Sequence, residues 1–109
     1  MKYDVLSIER KNAEILINAF KQKFQPSFEY TSKSGNVKIL VLEKFGLNGA
    51  YMAATVLFDS KDNDSCIINI VVTGGKKGSG GSFGSQEKML NEIKRFLQKS
   101  GCEKSWKEV

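Results

Sequence analysis

The residues best suited to chemistry in this chain stand together in one stretch, Gly74-Gly75-Lys76-Lys77-Gly78-Ser79-Gly80-Gly81-Ser82-Phe83-Gly84, followed by Ser85. Glycines free the backbone to turn successive N–H groups toward one point, and a helix N-terminus adds a favourable dipole. Lys76 or Lys77 would add charge. The chemistry implied is anion binding by Gly75, Lys76, Lys77, Gly78, Ser79, Gly80, Gly81, Ser82 and Ser85. The stretch is not a Walker loop, because Gly81 stands where that motif requires lysine. Nor does it match the dinucleotide fingerprint, which opens the first helix of a parallel unit and needs an acidic partner downstream. GGSFG is similar to the glycine loop of kinases, but 109 residues leave no room for a kinase.

Other reactive groups are sparse. There is no histidine, which removes the usual general base, the usual triads and the commonest metal ligand. Glu29, Glu43, Asp59, Asp62 and Asp64 are the candidate acids. Asp59, Asp62 and Asp64 fall in a polar stretch that reads as turn chemistry. It lacks the glycine and the distal glutamate of a calcium loop. Cys66 lies in an apolar run and Cys102 near the end, with no CxxC spacing, so they read as one buried and one surface thiol. These absences favour a non-catalytic role and imply no cofactor and no metal.

The elements that must position these residues follow from periodicity. Ser65 to Thr73 reads SCIINIVVT, with Cys66, Ile68, Ile70 and Val72 on one face and Ile67, Asn69 and Val71 on the other, a pattern for the middle of a sheet. After the loop, Gln86, Met89, Leu90, Ile93, Phe96 and Leu97 recur at three- and four-residue spacing and make one apolar helical stripe. Ser85 suits its N-cap, and Gly101 suits the position just past its end. Upstream, Lys2 to Ile8 reads as a strand and Asn12 to Phe24 as a helix closed by Pro26. Three further strands follow, Ser27–Ser32, Val37–Phe45 and Ala50–Phe58, joined by turns at Ser34-Gly35-Asn36 and Leu47-Asn48-Gly49.

The order βαββββα predicts an α+β fold, with an antiparallel sheet of about five strands and two helices packed on one face. Residues 1–101 form the single domain and 102–109 a polar C-terminal tail. Strand, helix and turn order, the hairpin LEKFGLNGAYMAATVLF and the strand end VVTGG resemble a family of small, uncharacterised bacterial domains. The resemblance covers most of the chain. It implies the same fold and a bacterial cytoplasmic setting, and it brings no activity or catalytic residue.

Charge and patterning then choose among functions. The chain carries +5, of which residues 76–109 hold eight Lys/Arg against four Asp/Glu, a net +4. The aromatics Phe28, Tyr30, Phe45 and Tyr51 are not interleaved with Lys or Arg, so nucleic acid is not the expected partner. No apolar run is long enough for a membrane helix, and the N-terminus has no signal-like apolar core, so a cytoplasmic protein without a membrane partner is expected. Neither sheet face reads as adapted to water. With both helices on one side, apolar surface is left over on the other. A homodimer through that face is the leading expectation, and a small anionic ligand on the 74–84 loop is the alternative.

Overall fold

Period-two alternation of Val, Ile, Leu and aromatic residues builds strands, and the two stretches with helical period supply the cover. The computed structural model of the chain describes residues 1–45, 51–75 and 85–105. Strand β1 (Lys2–Glu9) leads through a 3-10 turn (Arg10–Asn12) into helix α1 (Ala13–Phe24). Strands β2 (Phe28–Thr31), β3 (Val37–Phe45), β4 (Tyr51–Asp59) and β5 (Ser65–Gly74) follow, then helix α2 (Ser85–Lys99) and strand β6 (Glu103–Lys104). The sheet is ordered β2-β3-β4-β5-β1-β6, and every neighbouring pair is antiparallel. This is the expected α+β architecture with one strand more than the sequence suggested.

Register divides each strand cleanly between two faces. On one, Leu6 and Ile8, Leu40 and Leu42, Ala54, Val56 and Phe58, and Cys66, Ile68, Ile70 and Val72 are buried beneath both helices. Helix α1 contributes Ala13, Leu16, Ile17 and Phe20 to that core, and α2 contributes Met89, Leu90, Ile93 and Leu97. Phe20 stacks against Phe24 at 4.6 Å and meets Phe58 and Phe96 edge-on at 5.8 and 6.0 Å, so one ring joins α1, β4 and α2. Ile15 faces solvent on the far side of α1.

The helix ends explain the chain's turns. Gln25 takes a left-handed conformation (φ 50°) and its N–H donates to Lys21 O at 2.9 Å, after which Pro26 cannot continue the helix. At the end of α2, Gly101 (φ 105°) donates to Gln98 O and Cys102 donates to Leu97 O, the paired bonds of a Schellman motif. That motif turns the chain back across β1. Cys102 is consequently buried in the core, and Glu103–Lys104 pair with Leu6 and Ser7. Two expectations are corrected here. Cys102 is not a surface thiol, and the described part of the 102–109 tail belongs to the folded sheet. Glu103 and Lys104 can both be polar because a two-residue edge strand needs only backbone bonds to join.

Candidate interaction surface

Side chains alternate on the strands, so the residues not under the helices form a second face, open except at Val5, Asp59 and Ile67, which are buried. Following the register, one row across it reads Phe28, Val41, Thr55, Val71 and Tyr3, and the next reads Tyr30, Ile39, Leu57, Asn69 and Val5. Phe45 and Tyr51 extend it at one end, their rings 5.1 Å apart. Phe28, Tyr30, Phe45, Tyr51 and Tyr3 are 57, 50, 74, 40 and 61% exposed. All five exposed aromatic rings of the described residues therefore lie on this one face.

Its charge is just as uneven. Lys2, Lys38, Lys44 and Lys104 all have the parity of the helix-covered side, and no Lys or Arg among the described strand residues falls on the open side. The charged residues there are Glu9, Glu43, Asp59 and Glu103, all toward the ends of their strands. Tyr51 donates its hydroxyl to Glu43 Oε2 at 2.7 Å. That bond holds the Glu43 carboxyl below its usual range and raises the Tyr51 phenol above its own. Asp59 lies 3.4 Å from Lys61 Nζ and also accepts from the Lys61 N–H.

Among the described residues, one buried side-chain polar atom of this face has no partner. Asn69 stands between Leu57 and Val5 on the neighbouring strands, and its Nδ2 is shut from water without an acceptor. The sequence flagged Asn69 only as a member of a mostly apolar strand face. Its isolation follows from the cross-strand register.

The proposed anion site is only partly in view. Of its residues, Gly75 and Ser85 are described; Lys76, Lys77, Gly78, Ser79, Gly80, Gly81 and Ser82 lie outside the described residues. Gly75 N–H donates to Tyr51 O at 2.6 Å, so that donor is engaged within the β4–β5 hairpin. Ser85 is the first residue of α2. Gln86 Nε2 donates to Gly74 O, tying the start of α2 to the end of β5.

The turn acids behave as turn chemistry requires. Asp59 and Asp62 each accept an N–H two residues on, from Lys61 and Asp64. Glu29 pairs with Lys21 at 3.0 Å. A cleft of about 410 Å³ opens where β1, β5 and the C-terminal end of α2 meet, lined in part by Ser7, Glu9, Asn12, Asp64, Ser65 and Glu103. Among the described residues no group of three His, Cys, Asp or Glu side chains could hold a metal ion.

Asp4 is the most strongly perturbed carboxylate, and its setting is structural. It sits under the helix layer, 11% exposed, with Lys94 Nζ of α2 at 2.7 Å and Lys104 Nζ of β6 at 2.9 Å. Burial works against its charge, and the bonds from Lys94, Lys104 and the Val5 N–H overcome it, lowering its pKa to about 2. One carboxylate thus pins β1, α2 and β6 together. Burial raises the Cys66 thiol, and it pushes Cys102 up to about 12, with Cys66 adding to the effect. Both remain thiols at neutral pH and are unreactive as nucleophiles.

The chain matches no family model, no curated protein and no solved structure. Among the described residues, no helix is long and apolar enough to cross a membrane.

Proposed function

We propose that this protein is a non-catalytic interaction module that self-associates through its open sheet face. The observation carrying the reading is the gathering of all five exposed aromatic rings of the described residues on one face without a single strand Lys or Arg. A chain of charge +5 meets a copy of itself with least repulsion on such a surface. The size is of the right order. Strands β1 to β5, of four to ten residues, about 4.8 Å apart and rising about 3.3 Å per residue, offer roughly 600 Å², somewhat under the ~800 Å² per partner of a standard interface.

The same charges argue against a nucleic-acid platform. Stacking rings are present, but the ionised groups around them are carboxylates, which repel a phosphate backbone. The reading also takes the chain as one of the small bacterial domains whose order of elements it shares, working in the cytoplasm.

Light scattering across a range of concentrations, with and without phosphate, tests the proposal. A dimer is expected under both conditions, and Thr55→Arg should convert it to monomer. Thr55 is exposed at the middle of the face, so its replacement disturbs the partner and not the core. A monomer at every concentration sinks the reading. Assembly that requires phosphate and is lost on Lys76→Ala and Lys77→Ala would favour the anion-binding alternative instead.

A further inference from the structure

Among the described residues, the two edges of the sheet are unlike. At one, β6 lies along β1. At the other, β2 has β3 on one side and no strand on the other. Its residues Phe28, Glu29, Tyr30 and Thr31 are all exposed, and they include neither the proline nor the lysine that commonly blunts an edge. Ser32 N–H donates to Val37 O at 2.9 Å. The alternation of an antiparallel ladder then turns the backbone groups of Phe28 and Tyr30 toward β3 and those of Glu29 and Thr31 outward. The edge thus presents two N–H donors and two carbonyl acceptors.

A second copy of β2 can meet all four in one register. Centred on Glu29, an antiparallel two-fold pair would set two carboxylates opposite each other. Centred on Thr31, it would require Glu29 to bond to Lys33, which lies in the turn beyond the strand. Centred on Tyr30, it joins Glu29 of each copy to Thr31 of the other by four N–H···O bonds, with Lys33 of the other copy diagonal to Glu29 as an unlike charge. We propose that β2 pairs with β2 of a second copy about a two-fold axis through Tyr30, joining the two sheets edge to edge. Glu29 keeps its bond to Lys21 on the helix side, and the two Tyr30 rings adjoin on the open face. The contact is separate from the open-face contact and does not rest on it. Two distinct self-contacts on one chain allow assemblies larger than a dimer, and a strand of four residues makes this the weaker of the two.

The test traps the edge pair in the full chain carrying Thr55→Arg, which removes the open-face contact, with diamide as thiol oxidant. Paired residues without mutual hydrogen bonds have Cα atoms about 4.5 Å apart, within the span of a disulfide, so adding Tyr30→Cys should give a covalent dimer. Phe28→Cys, on the same face of the same strand, would have to reach across roughly 13 Å and should cross-link at least about tenfold more slowly. The chain with Thr55→Arg alone is the control, because Cys66 and Cys102 are buried. Thr31→Pro deletes an outward N–H and leaves the bonds to β3, and Thr31→Glu sets a carboxylate against Glu29 of the other copy. Each, added to Tyr30→Cys, should slow the cross-link on the order of tenfold. Equal rates at positions 28 and 30, or a rate that neither Thr31 variant changes, overturns the edge pair and leaves the open-face reading standing. Tyr30→Cys that cross-links as expected, in a protein whose wild type scatters as a monomer, upholds the edge pair and sinks the open-face dimer.

Discussion

Asp4 shows how much one side chain can decide. Its pKa falls from 3.8 to about 2 on folding, so the folded state binds its proton less tightly than the unfolded chain. The stability it contributes is therefore complete above about pH 4 and lost as pH falls toward 2, a swing of roughly 2 kcal/mol. Asp4→Asn should lower stability at pH 7 by about that amount and flatten the urea midpoint between pH 4 and 2. Nothing in the local sequence MKYDVLS marks Asp4, because its partners Lys94 and Lys104 arrive from the other end of the chain. The cysteines make the opposite case. Cys66 was legible as buried from its strand, whereas Cys102 was not, since its burial depends on where the Schellman turn sends it. Both thiols should resist Ellman's reagent in the native protein and react fully in urea. Rapid labelling of one thiol in the native state would contradict the burial of Cys102.

Among the elements, the helices and inner strands were readable because each carries its own period. Their apolar stripes are local, and the match runs to within a residue or two for α1, α2 and β3. Gly101 was also legible, since glycine at the end of a helical stripe answers a backbone need at φ 105°. β6 was not, because two polar residues show no period and are held by the edge of β1. The junction of α1, β4 and α2 rests on Phe20, which is fully buried. Phe20→Ala should cost about 3–5 kcal/mol in chemical denaturation, through lost contacts and the cavity left behind. Gly74 is a backbone counterpart. It sits at φ 92° opposite Met52, and a Cβ there would collide with Tyr51 O. Gly74→Ala should destabilise the β4–β5 pair by on the order of 2 kcal/mol.

At the scale of the whole molecule, one sheet carries two different surfaces. The covered face buries the core, and the open face offers aromatic rings inside a margin of carboxylates. If that face seats a second copy, folding and association are linked. The thermal midpoint of wild type should then rise with protein concentration, and that of Thr55→Arg should not. A midpoint independent of concentration in both would count against an interface of this size. Of the candidate anion-site residues, Gly75 already bonds to Tyr51 within the β4–β5 hairpin.

Periodicity, turn residues and the lack of histidine were enough to establish an α+β chain with an antiparallel sheet, two covering helices and no familiar catalytic signature. These are properties of neighbouring residues, and neighbours are what a sequence displays. Tertiary structure alone decided which strand parity faces the helices, that all strand lysines share the covered side, that Asp4 meets two distant lysines, and that Asn69 is left without a partner. Each of these depends on register between strands far apart in the chain, where a shift of one residue would exchange the two faces.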